Sequence, residues 1–341
     1  MKRVFTIIVL WVAVVGSLVA AEPVKLLTYN IKGHGMTSSR LEDIAAVINA
    51  QTPDIVALQE VDNRTFIGTK HDYLSELAEA TGMHSSFFAL VGSYYGVGLL
   101  SKTEPLSVQT QSFDPSDTSK DKEARGFLIA EFDDFYFIST HYSLNADDRD
   151  TATAWAINFA RKSDKTVFIA GDFNAQPTYR AMVTFKNNGF SILNNTSAYT
   201  FPADGPTSCI DMIISYCSEL GQEYEVAETG VVTSVDGLTL SDVSDHLPVY
   251  VVIDPVEESG IDHATATREM QLIRTSGGFS LTSLQAESTV DLYALDGTLV
   301  GSQRVDNGDE VCFPASCRNG LYLVQVKNGY QNSTFKYILN H

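Results

Sequence analysis

Residues 166–176 read Thr-Val-Phe-Ile-Ala-Gly-Asp-Phe-Asn-Ala-Gln, or TVFIAGDFNAQ. The apolar run from Thr166 to Ala170 reads as a buried strand that breaks at Gly171 and releases Asp172 and Asn174. A rigid strand that hands a carboxylate and an amide to a loop suits a metal or phosphate site. The same residue types also make ordinary turns, so the stretch takes its meaning from the rest of the chain.

The pattern recurs. Val24–Tyr29 is an expected strand ending on Asn30, Ile55–Leu58 closes on Gln59 and Glu60, and Phe135–Thr140 runs into His141. Ile210–Ser215 carries Asp211 one residue in, while Ser244, Asp245 and His246 stand just before the strand Leu247–Ile253. Ser39 and Glu42 have capping-box spacing before a helix whose Leu41, Ile44, Ala45 and Ile48 share one face. Further helices are expected near His71–Ala80, Asp150–Lys162 and Ala181–Asn188, with Lys102–Lys122 an irregular polar stretch. Strands and helices do not alternate strictly, which favours two mixed sheets flanked by helices over one parallel sheet.

Carboxylates and amides at strand ends make chemistry. Glu60 is the best ligand for a hard cation, and Asn30, Asp172 and Asn174 supply further oxygens or a hydrogen bond to a nucleophilic water. Oxygen-only ligation points to Mg²⁺ or Mn²⁺ rather than zinc. His141 and His246 can donate to phosphate oxygens or move protons. The carboxylate that orients His246 is the adjacent Asp245 or another Asp. A Gly-Ser-Tyr-Tyr-Gly turn places Tyr94 or Tyr95 beside a ligand or in ordinary packing.

These residues, in this order, resemble the metal-dependent endonuclease/exonuclease/phosphatase superfamily. The matching segments are Thr28–Ile31, Leu58–Val61, Ser139–His141, Gly171–Ala175, Ile210–Ile213 and Ser244–Pro248, spread over Val24–Ile253. The resemblance implies a four-layer α/β/β/α sandwich of two mixed sheets, here followed by a small C-terminal all-β domain. It implies Glu60 as principal metal ligand with Asn30, Asp172 as the group that positions the attacking water, and Asn174 at the scissile phosphate. His141 and His246 would bind the phosphate, with Asp245 paired to His246 and close enough to share in metal binding. Asp211 would be a further active-site acid. Arg125 and, more weakly, Tyr95 would support the phosphate side. The implied activity is hydrolysis of a phosphate ester with Mg²⁺ or Mn²⁺.

Composition narrows the substrate and the compartment. The chain has 341 residues and a formal charge of -19. After Gly260 there are eight acids and six bases, and Lys2 and Arg3 add two positive charges, so the acidity lies in residues 22–260. An acidic surface repels a phosphate backbone, so no stable nucleic-acid partner is expected. A small or lipid-headgroup phosphoester is the favoured substrate, a secreted nuclease the second reading and an inactive binding module the third. Lys2 and Arg3, the apolar run Val4–Ala20 and small residues before Glu22 form a signal peptide over residues 1–21, with a membrane anchor as the alternative. Export to the periplasm, outer cell surface or medium follows, and with it two short-range disulfides, Cys209–Cys217 and Cys312–Cys317. The catalytic domain is expected over 22–254 and a linker over 255–269. Residues 270–341, with short strands between Asp-Gly and Asn-Gly turns, form a small β-sandwich. Val290–Gly297, Gly320–Val326 and Thr334–Leu339 with Lys336 resemble the sorting domain of Bacteroidetes type IX secretion substrates, which implies contact with secretion machinery. A carbohydrate- or partner-binding sandwich is the alternative, and a monomer is expected.

Overall fold

The structure, a computed structural model, describes residues 22–63, 72–256, 271–274, 278–282, 288–306, 309–312, 314, 317, 320–327 and 332–339. The expected signal segment and most of the expected linker lie outside the described residues. The chain divides into two units, Met1–Glu257 and Glu258–His341.

In the first unit, β1 (Val24–Asn30), α1 (Ser38–Gln51), β2 (Ile55–Asp62), α2 (Tyr73–Thr81), β3 (His84–Val91) and β4 (Tyr95–Ser101) come first. Then come β5 (Ser107–Phe113), β6 (Arg125–Glu131), β7 (Phe135–His141), α3 (Ala146–Lys162), β8 (Thr166–Asp172), α4 (Arg180–Asn187), β9 (Ser191–Ile192) and β10 (Asp211–Tyr216). β11 (Tyr224–Val231), α5 (Leu240–Val243) and β12 (Val249–Pro255) complete the unit. The strands form two six-stranded mixed sheets, ordered β11-β12-β1-β2-β4-β3 and β5-β6-β7-β8-β10-β9. This is the expected pair of mixed sheets with helices outside them.

Three apolar cores explain the layering. Leu27, Tyr29, Val56 and Leu58 pack with α1 and α2 residues such as Ile44, Ile48 and Leu77. Val167, Ile169, Met212 and Ile214 pack with Ala156 and Ala160 of α3 and Phe185 of α4. Between the sheets lie Leu26, Ile55, Ala57, Phe137, Phe168, Ala170 and Ile213. Successive strand side chains alternate faces, so both faces of each sheet are apolar and the strands read as continuous hydrophobic runs. The alternation also decides where the polar tips go. Asn30 shares the inter-sheet face with Leu26, His141 with Phe137, Asp172 with Phe168 and Ala170, and Asp211 with Ile213.

Several expectations change at this level. Lys102–Lys122 is not wholly irregular: Ser107–Phe113 pairs with β6 as an edge strand, which tolerates polar residues because one face stays in solvent. The cap of α1 is Thr37, whose Oγ1 accepts from Arg40 N at 3.3 Å, so Ser39 already lies within the helix. All four cysteines are free thiols. Cys209 and Cys217 flank β10 at opposite ends, roughly 20 Å apart at the rise of an extended strand, far beyond disulfide reach. Cys312 is exposed at the end of β17, while Cys317 packs against the tail core.

The second unit is all β. A three-stranded sheet joins β13 (Gln271–Arg274), β14 (Gly278–Thr282) and β17 (Glu310–Cys312). A four-stranded one orders β16 (Leu299–Val305), β15 (Ser288–Ala294), β18 (Gly320–Lys327) and β19 (Asn332–Leu339). Phe279, Leu281, Val290, Leu292, Val311, Val324 and Val326 are among its buried residues.

One glycine sits where the two parallel strands nearest the site approach. A Cβ on Gly171 would stand 2.0 Å from the Thr140 carbonyl oxygen of β7. Gly171→Ala is therefore expected to lower stability by about 1–3 kcal/mol, as overpacking does. Urea unfolding checks this, and a variant as stable as the parent would show that the strands can part freely.

Candidate active site

Five strands deliver polar groups to one end of the inter-sheet space. The Asp172 carboxylate is at the centre, only 1% exposed. Its Oδ2 accepts from Asn30 Nδ2 at 3.1 Å, and His141 Nε2 and His246 Nε2 lie 3.5 and 3.7 Å from the same oxygen. Oδ1 accepts from the Asn174 backbone N–H at 2.8 Å, a short turn that Asn174 completes with a φ of 45°. Asn tolerates that left-handed conformation better than most residues.

Glu60 reaches the site by a β-bulge. The β2–β4 register slips between Leu58 and Val61, and Glu60 takes a φ of 58°. Bulges re-aim side chains beside active sites. Here the bulge lets Glu60 Oε1 accept from Asn30 Nδ2 at 3.1 Å, so one amide nitrogen holds both carboxylates. The Asn30 oxygen is taken by the Lys32 N–H at 3.1 Å. Asn30 thus serves the two carboxylates as a donor.

The two histidines differ in what lies behind them. His246 Nδ1 is 2.9 and 3.1 Å from the oxygens of Asp211, which is fully buried and sits opposite Asp172 in the β8–β10 register. Burial opposes a charge on His246, but the Asp211 carboxylate, then Asp172 and Asp245, push it up to about 9. His141 Nδ1 faces Arg125 Nη1 at 3.0 Å. Burial, with Arg125 and His246 adding positive charge, holds His141 well below its ordinary value. Burial and the neighbouring Asp211 push Asp172 up to about 7.

Asp245 is corrected. Its carboxylate is 40% exposed and pairs with Lys32 Nζ at 3.2 Å, so the acid that orients His246 is Asp211. At the bend of Asp245 and His246 the two side chains part, Asp245 toward Lys32 and His246 inward toward Asp211. Asp245 still lines the cavity mouth, as does Tyr95, whose hydroxyl is pushed up by burial and by Glu60 alongside. Arg125 is 8% exposed and all three of its side-chain nitrogens engage protein groups: Asp121, Glu123 and His141. Asn174 Nδ2 donates to the Tyr142 carbonyl at 2.9 Å and lies 3.1 Å from His141 Nε2. Sequence reasoning missed Asp121, Glu123 and Phe201, whose ring lies 4.7 Å from the His246 ring. No spacing in the chain marks them, because their roles come from loop packing.

Glu60, His141, Asp172, Asn174 and His246 line one open cavity of about 660 Å³, with Asn30 and Asp211 buried behind them. Asp172, Asp211 and His246 bring ligand atoms within 4.8 Å of one another and form a candidate metal cluster. Within it the closest contact is the Asp211–His246 hydrogen bond, which occupies both partners. The donors left for a hard cation are the Asp172 and Glu60 oxygens. That set fits a divalent ion with oxygen preference, because Asp172 is a buried carboxylate held against a second one, and a nearby cation would relieve both.

Comparison with known proteins places the chain. Residues 27–246 match the model of the Endonuclease/Exonuclease/phosphatase family, and the chain belongs to that family. No curated protein matches it. Solved structures share the fold at low identity. The family member from Bacteroides vulgatus has a TM-score of 0.56 at 17% identity, over 69% of this chain and 100% of that one. A mannosyl-6-phosphatase from Bacteroides thetaiotaomicron gives 0.52 at 17%, over 67% and 99%. D. rerio TDP2 complexed with a single-strand DNA product gives 0.53 at 15%, over 68% and 99%.

The site carries a stability signature. His246 titrates near 9 when folded against an ordinary 6.5, so its contribution is complete below 6.5 and lost as pH rises through 9. Asp172 contributes in the same sense, but its window closes near 7. In chelator, the melting temperature is expected to fall between pH 7 and 9.5, and His246→Gln to flatten that fall. An unchanged slope in the variant would remove His246 as its source.

Proposed function

We propose that this chain is a metal-dependent phosphoesterase that hydrolyses a single phosphate ester on a small molecule or lipid headgroup. The observation that carries the reading is the Asp172 carboxylate set between two histidines, with Glu60 and Asn30 across the sheet gap and Asn174 alongside. Phosphoryl transfer demands little covalent chemistry of a protein and much positioning and charge stabilisation. In this reading water attacks phosphorus in line with the departing alcohol. Asp172 orients the water and takes its proton as the new O–P bond forms, while the ester P–O bond breaks and the leaving oxygen takes a proton from solvent in the open cavity. His141 and His246 donate to the non-bridging oxygens, and Asn174 offers its amide to the same group. Asp211 keeps His246 charged and aimed. Glu60 and Asp172 would hold Mg²⁺ or Mn²⁺, which when bound supplies positive charge against the phosphate oxygens.

The charge around the cavity supports a substrate with one phosphate. Arg125 is sequestered, Lys32 is paired with Asp245, and Glu123 and Asp245 add acid to the walls. A second phosphate would meet carboxylates. The mannosyl-6-phosphatase shows that a relative of this fold serves a small phosphoester by name. A nuclease is the second reading, favoured by the fold shared with the DNA-bound D. rerio protein. We further propose export, on the basic, apolar and small-residue order of residues 1–21, with the tail as the secretion signal or surface attachment and the chain a monomer.

The test uses the full mature chain with bis(4-nitrophenyl) phosphate, 4-nitrophenyl phosphate, sphingomyelin vesicles and plasmid DNA, each with Mg²⁺ and with chelator. Metal-dependent release from the small or lipid esters is expected, with plasmid left intact. Glu60→Ala and His246→Ala should each lower kcat by roughly 10²–10³-fold, the loss typical of a transition-state charge partner, with circular dichroism unchanged. Full activity in either variant would sink the assignment. Plasmid cut faster than the esters would establish the nuclease reading instead.

A further inference from the structure

We propose that Arg125 is a positioning residue that fixes His141 with its proton on Nε2, making His141 a permanent hydrogen-bond donor to a substrate oxygen. The proposal rests on the phosphoesterase reading for the identity of that oxygen, and on geometry alone for the tautomer.

A guanidinium has five N–H donors, no acceptor, and does not lose its proton in proteins. Arg125 Nη1 lies 3.0 Å from His141 Nδ1. Nδ1 can therefore take part only as the acceptor, and the ring proton belongs on Nε2. His246 has the opposite backing, since the Asp211 carboxylate accepts from its Nδ1 at 2.9 Å. Two imidazoles flank one carboxylate, one steadied by a carboxylate acceptor and the other by a guanidinium donor.

The arginine is itself built in. Its Nε donates to Asp121 Oδ2 at 3.0 Å and its Nη2 to Oδ1 at 3.4 Å, while Nη1 also meets Glu123 Oε2 at 3.0 Å. Asp121 is 5% exposed, and its Oδ2 accepts further from Ser143 Oγ at 2.9 Å and the Leu144 N–H at 3.1 Å. Asp121 thus grips both the start of β6, through Arg125, and the loop that follows His141. The imidazole is held from behind and from its own chain end. Burial opposes ionisation of Asp121, but Arg125 and these donors still hold it below the usual carboxylate range.

In front of His141, the Asp172 Oδ2 carboxylate oxygen lies 3.5 Å from Nε2 and can receive its proton's hydrogen bond. The same Nε2 is 3.1 Å from Asn174 Nδ2, which already donates to the Tyr142 carbonyl. With the proton on Nε2, the ring N–H and the Asn174 amide are two donors at the cavity, with Asp172 Oδ2 as the nearby acceptor. An anionic oxygen placed before both would satisfy each, which is what a phosphate provides.

Two measurements test this on the full mature chain. In the metal-free protein labelled with ¹⁵N in its imidazoles, long-range ¹H–¹⁵N correlation should show His141 with an unprotonated Nδ1 and a protonated Nε2. The His141→Gln variant assigns the signals. Arg125→Met should give a mixture of tautomers, and Asp121→Asn, which keeps the side-chain shape, should move the signals the same way. For kinetics with bis(4-nitrophenyl) phosphate and Mg²⁺, Arg125→Met should lower kcat about 10–100-fold with KM within about two-fold, a loss confined to the transition state. Combined with His141→Gln, it should add less than about two-fold to the loss from His141→Gln alone, because residues acting through one another are not additive. Arg125→Lys, still a pure donor, should recover part of the rate. A proton on Nδ1 in the wild type, or losses that multiply in the double variant, would overturn the proposal. A rise in KM alone would assign Arg125 to substrate binding and overturn it too. A wild-type chain inactive on this ester would overturn the donor role together with the phosphoesterase reading, while the nitrogen spectrum would still decide the tautomer.

Discussion

Among the hydrogen bonds that cross between the two sheets, one lies at the centre of the site: Asn30 Nδ2 to Asp172 Oδ2, 3.1 Å long and 142 residues apart in sequence. It spans from the first sheet to the second, above a packed layer of Leu26, Ala57, Phe168 and Ala170. The apolar layer sets the separation of the sheets, and that separation sets whether the polar tips meet. Sheets packed face to face stand about 10 Å apart, a gap that a pair of side chains from opposite faces can close. The site therefore depends on the same inter-sheet core that stabilises the domain. Its members need no long loops to reach one another.

Such a site concentrates charge that the core beneath it cannot solvate. Asp172 and Asp211 stand opposite in adjacent strands, both essentially without water. Two buried like charges at that range repel strongly, so each needs its own compensation. His246 meets Asp211 directly, and Asn30 with the Asn174 N–H meets Asp172. Those dipoles and the charge of His246 3.7 Å away favour the Asp172 carboxylate, but burial and the Asp211 charge outweigh them and hold its proton up to about 7 while a cation is away. A divalent ion between Asp172 and Glu60 would complete the balance, so metal binding and the pKa of Asp172 are coupled by construction.

The strand ends were legible from the chain because alternation and burial act locally. An apolar run that stops on Asn30, His141 or Asp172 states both its face and its terminus, whereas Glu60, on the helix side by alternation from Leu58, reaches the site only through the bulge. What each end touches was not legible. His246 lies beside Asp245 in sequence but is held by Asp211, 35 residues away, because register between β8, β10 and the segment before β12 decides the contact. Arg125 could be found as a cation near the phosphate side, yet its engagement by Asp121, Glu123 and His141 arises from a loop with no periodic signal. The polar edge strand Ser107–Phe113 escaped for a related reason, since half its residues face solvent and its pairing partner supplies the order. The disulfides failed on length: β10 keeps Cys209 and Cys217 apart although they are near in sequence.

Sequestering the arginine also bears on selectivity. A free guanidinium in the cavity would attract any phosphate, including every phosphate of a polymer. Here the guanidinium charge is balanced by Asp121 and Glu123 before a substrate arrives, and Lys32 is balanced by Asp245. On the phosphoesterase reading proposed above, the remaining pull on an anion is short-ranged, through the N–H groups of two histidines and an asparagine and through any cation that the carboxylates would hold. Such donors act on one phosphate at contact and fall off quickly beyond it, because hydrogen bonds are directional and the surrounding acids cancel the longer field. On that reading a domain with net negative charge would bind an ester that reaches the cavity floor while repelling a polyanion at the mouth. The price is a slower capture of substrate than a basic cleft would give, and neutral or cationic leaving groups are the ones that lose least by it.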